Sequence, residues 1–220
     1  MVTVGKGFRK LDEGIMAYRR FGVATQHWEI DGKVVERNAL ISVDAVVIIP
    51  VTPEGRIVFI RNFRTPVEEE VLELPAGKLD PKGGIDGSKL DPRKDVDSYE
   101  EPVVAGEREL SEETGYTAES FHQIGENDMA LDHHPGSFSS PGMLTERFRF
   151  VLAVGARKST EQHLDEAEGI TDIIEVPWRD AFRNALSGEI KDTKTRLGVL
   201  MYGMKRLNEE NALKYNGLVP

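Results

Sequence analysis

The sequence has no cysteine, which excludes disulfide frameworks, thiolate metal sites and cysteine nucleophiles. It also lacks a long hydrophobic run, because its longest apolar stretch, residues 45–51, is far shorter than the roughly 20 residues that a membrane helix needs. Basic residues near the start are not followed by a hydrophobic segment, as they would be in a secretion signal. We therefore expect a cytoplasmic protein that does not bind a membrane.

Positive charge is also scarce, since 28 lysine and arginine residues face 38 aspartate and glutamate residues and the net charge is −10. Such a surface repels a polyphosphate backbone, so general nucleic-acid binding is not expected. A small anionic substrate could still bind where carboxylates cluster around divalent cations, which reverse the local sign of the charge. The 220 residues suffice for one large domain, or for a medium domain with an appendage.

Strand and turn signals fill the first third of the chain. Asp31-Gly32 between two alternating segments predicts a hairpin, and residues 46–51 and 56–63 flank a second turn. Further apolar strands are predicted at 71–74, 148–154 and 170–176. Helices are predicted at 102–114, with proline first and glycine after the end, at 178–186, and after a cap at Asp192 or Thr193.

Two polar segments interrupt this pattern. Residues 78–99 are rich in glycine, aspartate, lysine and proline and have no periodicity, which indicates a surface insertion. Residues 157–169 are acidic and lie between two strands, as expected of a solvated loop. His133 and His134 are adjacent and would point apart in an extended chain, which argues against a shared metal.

Three glutamates on the predicted helix 102–114 point into one sector, because Glu109, Glu112 and Glu113 stand at i, i+3 and i+4. Clustered carboxylates oppose one another's ionisation, so either a cation binds between them or the helix is an ordinary solvated one. Ala105 and Gly106, one turn earlier, would leave room beside the acids. Mg²⁺ prefers such oxygen ligands, and Arg108 could orient Glu112.

The helix and the residues before it resemble the second half of the Nudix hydrolase box, G-x5-E-x7-R-E-U-x-E-E-x-G-U, where U is aliphatic or aromatic. The pattern is matched at Glu100, Arg108, Glu109, Leu110, Glu112, Glu113, Gly115 and Tyr116. Gly77 stands where the first glycine of the box belongs, although residues 78–99 then form an insertion; Gly87 is nearer but also misplaced. The resemblance implies an α+β fold, an α/β/α sandwich with a mixed sheet.

Four flanking segments resemble the ADP-ribose pyrophosphatase group of this family. They are 61–66, 73–77, 140–142 with Glu146, and 188–195. The resemblance implies Mg²⁺-dependent hydrolysis of ADP-ribose to AMP and ribose 5-phosphate, with Mn²⁺ as a possible substitute. Two alternatives stay open: the same chemistry on another nucleoside diphosphate sugar such as GDP-mannose, and a non-catalytic module that senses a nucleotide and regulates a partner.

The resemblance also implies a role for each matched residue. Metal ligands would be Glu109, Glu112, Glu113 and the carbonyl of Ala76, while Glu100 would orient Arg108. Arg64, or else Arg61, would contact the diphosphate. A glutamate from the loop before the last strand would accept the proton of the attacking water. For that base we choose Glu166; Glu168 and Glu146 are alternatives, with Glu168 also a candidate metal ligand and Glu146 a candidate substrate contact.

The N-terminal region carries the remaining expectations. Trp28 could stack on adenine, although a buried strand tryptophan is the alternative. We expect an N-terminal β subdomain at 1–40, a Nudix domain at 41–210 and a C-terminal tail at 211–220. The resemblance implies a homodimer in which the N-terminal strands reach the partner subunit.

Overall fold

The computed structural model describes residues 2–3, 8–17, 21–124, 136–159 and 169–216. They fall into two compact units, each described by itself below. The first unit comprises the described residues of 1–45, 78–100 and 135–148. The second unit comprises those of 46–77, 101–134 and 149–220.

A four-stranded antiparallel sheet forms the N-terminal part of the first unit. Its strands, in spatial order, are β1 (Val2–Thr3), β2 (Phe8–Ala17), β3 (Gly22–Ile30) and β4 (Lys33–Ile41). Ile30 pairs with Lys33 around the Asp31-Gly32 turn, and both turn residues have positive φ, as a two-residue hairpin requires. The predicted hairpin is therefore confirmed.

The segment 78–100 is an ordered part of the first unit. Three single-turn 3-10 helices interrupt it, at Lys82–Gly84, Gly87–Lys89 and Val96–Ser98. Its ends come together because Pro81 and Tyr99 form a β-bridge, and Tyr99 is buried. Periodicity could not show these turns, since each is shorter than one period of a repeating pattern.

Arg93 ties this segment to the N-terminal sheet. Its guanidinium donates to both carboxylate oxygens of Glu13, at 2.8 and 2.9 Å, and its Nε donates to Asp91 at 2.9 Å. The hydrogen bonds from Arg93, opposed by burial and aided by Lys10 and Gln26, lower the pKa of Glu13 from 4.5 to about 2. The ion pair thus favours the folded state wherever Glu13 is ionised.

We expect Glu13→Gln to lower the free energy of unfolding by about 1–3 kcal/mol at neutral pH. Because the folded-state pKa lies below the unfolded value, the stabilisation is complete above pH 4.5 and is lost as the pH falls towards 2. Urea unfolding of both proteins across this range measures the effect. Glu36→Gln, at an exposed position of β4, is the control; a pH-independent difference for Glu13→Gln would contradict the prediction.

The other strands are, in chain order, β5 (Ala45–Val51), β6 (Arg56–Arg64), β7 (Glu69–Glu73), β8 (Ala76–Lys78), β9 (Tyr116–Thr117), β10 (Ser120–Gln123), β11 (Ser137–Phe138), β12 (Arg147–Val154), β13 (Arg157–Lys158) and β14 (Ile170–Pro177). The main sheet is mixed and has the order β10-β12-β5-β6-β14. β7 pairs with β6, β8 with β5, β11 with the start of β12, and β9 with β13. The predicted loop 157–169 thus begins with a short strand, because β9 offers it a partner.

Helices cover both faces of this sheet. They are α1 (Pro102–Thr114), α2 (Trp178–Ser187) and α3 (Thr193–Asn216). Ile48 lies against Gly106 of α1, whereas its neighbour Ile49 lies against Gly198 of α3. Successive strand residues point to opposite faces, so α1 and α3 pack on opposite sides of β5. The predicted α+β fold with an α/β/α sandwich is confirmed.

The last helix starts at the predicted cap. Asp192 accepts a hydrogen bond from the backbone N–H of Thr195 at 3.0 Å, which satisfies a donor of the first turn. α3 then continues to Asn216, so the expected tail 211–220 begins inside this helix. Among the described residues, no helix is long and apolar enough to cross a membrane.

Candidate active site

Helix α1 carries the predicted acidic residues. Its packing against the sheet fixes its rotation about the helix axis. It ends at Gly115, whose φ of 67° allows its N–H to reach the carbonyl of Ser111 at 2.9 Å. Leu110 is fully buried, and Gly106 lies close to Val151 and Ile48. The sheet therefore fills the room that we predicted beside the acids; that prediction was wrong, because a glycine permits close packing of helix on sheet.

The three predicted metal ligands differ in exposure. Glu109 and Glu113 are only 6% and 4% exposed, whereas the side chain of Glu112 is 47% exposed. Arg108 donates from Nη1 to Glu109 and to Glu112, at 2.9 Å in each case. The predicted pairing of Arg108 with Glu112 is present, and one guanidinium offsets part of the charge of two acids.

The start of β8, which follows β7, lies against the two buried glutamates. The backbone N–H of Ala76 donates to Oε2 of Glu113 at 2.8 Å. A Cβ atom added to Gly77 would stand 1.8 Å from Oε1 of Glu109, so only glycine leaves room for that carboxylate. Ala76 and Gly77, at the start of β8, and both carboxylates thus lie together in the second unit.

These groups suit a hard divalent cation. Carboxylate and carbonyl oxygens are the ligands that Mg²⁺ prefers, and Mg²⁺ usually needs only one or two carboxylates because it keeps several waters. Because Gly77 has no side chain, the carboxylate of Glu109 can occupy the space beside it, and this contact restricts the position of the carboxylate. Among the described residues, no three histidine, aspartate or glutamate side chains already converge on one point. The donor set fits a cation that water and substrate help to coordinate.

Arg64 is close enough to Glu113 in the second unit for their charges to interact. Its Nε and Nη2 donate to the two oxygens of Glu73, at 2.6 and 2.7 Å. The hydrogen bonds to Glu73 raise the pKa of Arg64 against the effect of burial, and the negative charge of Glu113 acts in the same direction. Arg61 is exposed and, three residues earlier on β6, faces the opposite side. The geometry therefore favours Arg64 over Arg61.

Glu73 is a buried carboxylate that holds two cations. It is 2% exposed and contacts the ammonium of Lys194 as well as Arg64. Burial opposes ionisation, but the hydrogen bonds from Arg64 and Lys194 outweigh it and keep the pKa of Glu73 below its usual value. The next residue, Leu74, donates its N–H to Oγ1 of buried Thr195 at 2.8 Å. The start of α3 thus fixes the end of β7.

We assigned no role to Glu73, Lys194 or Thr195 from the sequence. One signal was available, since Glu73 is an acid within an otherwise apolar strand end, and a buried acid requires a cationic partner. The identity of that partner could not be read, because Lys194 is distant in sequence and meets Glu73 only through the fold.

Three predicted site residues belong to the first unit and have contacts there. Trp28 is half-buried in β3; its Nε1 donates to Gln26, and the ammonium of Lys10 lies 5.9 Å from its ring centroid. Glu100 accepts from the N–H of Asp80 at 2.9 Å. Glu146 contacts the ammonium of Lys78. Their predicted roles at the site remain predictions.

Four residues considered from the sequence lie outside the described ranges. They are the predicted base Glu166, its alternative Glu168, and the pair His133 and His134.

The sequence matches both a protein-family model and individual known proteins. A family model of the NUDIX domain matches residues 42–195. The chain is 32% identical to the ADP-ribose pyrophosphatase of Bacillus subtilis (strain 168) over 176 residues, which cover 80% of each chain. It is 31% identical to the methanol dehydrogenase activator of Bacillus methanolicus, with 84% of this chain and 83% of the relative covered.

The fold also has a counterpart among solved structures. The crystal structure of an ADP compounds hydrolase superposes with a TM-score of 0.68, covering 94% of this chain and 98% of that one at 17% sequence identity. At this identity the likeness concerns the fold, and it agrees with the layers described above. The family model spans most of the chain, and the Bacillus subtilis relative is similar over four fifths of it, so the chain belongs to the NUDIX family.

Proposed function

We propose that this protein hydrolyses the diphosphate linkage of ADP-ribose and releases AMP and ribose 5-phosphate. The observation that carries the proposal is the arrangement of Glu109 and Glu113 around Ala76 and Gly77 at the start of β8, with the cationic Arg64 nearby in the same unit. Clustered acids suit a divalent cation, and a divalent cation with an arginine suits a diphosphate. The pyrophosphatase of Bacillus subtilis supports the choice of substrate.

Mg²⁺, or Mn²⁺ in its place, would be held by Glu109, Glu112, Glu113 and the carbonyl of Ala76. When bound, the cation neutralises charge on the diphosphate and promotes attack of water on phosphorus. Arg108 keeps Glu109 and Glu112 in place by its two hydrogen bonds, and Glu100 would help to orient it.

The protein's own groups account for the rest of the reaction. Arg64 would present N–H groups to the diphosphate oxygens, and its fixed pair with Glu73 sets their direction. The attacking water forms a bond to phosphorus as the bridging P–O bond breaks, and its proton passes to a glutamate. We choose Glu166 for that role, with Glu168 as the alternative, because Glu146 already contacts Lys78 and would give up that ion pair on accepting a proton.

The direct test is turnover by the full chain. With Mg²⁺ and ADP-ribose, we expect equal amounts of AMP and ribose 5-phosphate in chromatography of the products, and no turnover after chelation of the cation. A panel with GDP-mannose and other nucleoside diphosphate sugars, read by phosphate release after phosphatase coupling, compares the alternatives. If the protein prefers another sugar nucleotide, that compound and not ADP-ribose would be its substrate. If no compound of the panel is hydrolysed, the proposal is overturned.

A second candidate is a module that senses a nucleotide and regulates a partner protein. The similarity to the methanol dehydrogenase activator of Bacillus methanolicus favours it. The acidic cluster argues against a purely sensing role, because a binding module has no need to bury two like charges together. Binding of ADP-ribose without any turnover would favour this candidate.

The expected assembly follows from the family resemblance. We propose a homodimer formed through residues 1–40, supported by the exposed apolar side chains Ile15, Met16 and Val34 on the N-terminal sheet. The proposed location is the cytoplasm. We also retain Trp28 and Glu146 as candidate substrate contacts, with Trp28 as the platform for adenine.

A further inference from the structure

A partly buried network of charges joins the start of α3 to the end of β7 and to Arg64. Glu73 lies at its centre and is contacted by Arg64 through two oxygens and by Lys194 through Oε2. Lys194 is itself only 12% exposed and donates to Asp192 at 2.9 Å. All four side chains lie in the second unit, where Glu73 is buried and the side chain of Arg64 is 42% exposed.

The position of Arg64 depends on what holds Glu73. A guanidinium has five N–H donors, and the paired bond to Glu73 uses Nε and Nη2, which leaves other donors for an anion. A buried carboxylate with only one cationic partner would draw that partner in to satisfy its whole charge. Lys194 supplies the second cation, at the same oxygen that Nη2 of Arg64 contacts.

We propose that Lys194 is a positioning residue, which holds Glu73 so that Arg64 keeps its direction, with N–H donors available to a diphosphate. This inference rests on the proposed function, since Arg64 is there the diphosphate contact. Lys194 itself would not touch the substrate. It acts through Glu73 and then Arg64, two contacts away from the ligand.

A purely structural role for Lys194 is the competing explanation. The same ammonium contacts Asp192, which caps α3, so its loss could simply loosen the helix. The two roles differ in one respect. A positioning role requires that the effect on ligand affinity disappear when Arg64 is already absent, whereas a loosened helix would lower affinity with or without Arg64.

The experiment measures binding by calorimetry, with Mg²⁺ and an ADP-ribose analogue that carries a methylene group in place of the bridging oxygen. Lys194→Met, which keeps the length of the side chain but not its charge, should weaken binding by about tenfold or more. Lys194→Arg should restore most of the affinity. Lys191→Met is the matched control, because Lys191 precedes the same helix but pairs with Glu69 at the surface.

A double-mutant cycle with Arg64→Ala separates the two roles. We expect Lys194→Met to have almost no further effect on affinity in the Arg64→Ala background, while thermal unfolding shows that each variant is folded. If Lys194→Met does not fold, Lys194→Gln gives the same comparison. An equal loss in both backgrounds, or no loss in either, overturns the inference. A wild-type protein that does not bind the analogue overturns the proposed function together with this inference, whereas binding without turnover overturns only the hydrolysis.

Discussion

Replacing Glu112 by glutamine should lower turnover by about 100-fold or more and leave the free energy of unfolding nearly unchanged. The expectation follows from the position of Glu112, which is half-exposed and hydrogen-bonds to Arg108. An exposed ion pair of this kind contributes little to stability, so its loss is small. The carboxylate charge, in contrast, is what a divalent cation needs, and glutamine has the same shape without that charge.

The measurement is the turnover number at saturating substrate over a range of Mg²⁺ concentrations, together with thermal unfolding. A lost cation ligand should shift the Mg²⁺ dependence to higher concentration. Glu107→Gln is the matched control, since Glu107 is an exposed glutamate of the same helix outside the proposed site. Wild-type turnover in Glu112→Gln at every Mg²⁺ concentration would remove this residue from the cation site.

The bounds of α1 could be read from the sequence because both ends carry local signals. Pro102 suits the first position of a helix, and Gly115 takes the left-handed conformation that ends it. The hairpin at Asp31-Gly32 was read for a similar reason. In each case the information lies within a few residues, so no tertiary contact was needed to recover it.

The differences among the three glutamates could not be read in this way. Helical spacing places Glu109, Glu112 and Glu113 in one sector, but burial depends on what packs against that sector. Ala76 and Gly77, at the start of β8, lie against Glu109 and Glu113, whereas Glu112 is half-exposed. That strand comes from a distant part of the chain, and its distance from the helix cannot be inferred from the period of one element.

The choice between Arg61 and Arg64 could be predicted from the sequence only in part. Successive side chains of a strand point to opposite faces of the sheet, so the sequence alone predicts that the two arginines lie on opposite faces. Which face is the functional one depends on Glu73 and Glu113, and their positions come from the pairing of β7 with β6 and the packing of α1. The sequence alone thus shows that only one of the two arginines can face the site. The tertiary contacts of the fold favour Arg64.

Substitution of alanine for Gly77 should lower kcat/KM by about 100-fold or more with only a small change in stability. The added Cβ would stand 1.8 to 2.4 Å from the three atoms of the Glu109 carboxylate. The φ angle of Gly77 is not positive, so alanine fits the backbone, and the clash falls on the end of a flexible side chain that can rotate away. The fold therefore adapts, but Glu109 leaves its place beside β8.

The control for this prediction is Gly14→Ala, because a Cβ at Gly14 meets no atom within 4 Å and the backbone there is also permissive. It should keep wild-type activity. If the loss in Gly77→Ala arises through Glu109, then adding Gly77→Ala to Glu109→Ala should cause little further loss, since the displaced carboxylate is already gone. Wild-type kcat/KM in Gly77→Ala would show that the reaction does not use the position of Glu109 beside β8. Losses that multiply in the double variant would show that Gly77 acts by another route, such as the direction of the Ala76 carbonyl.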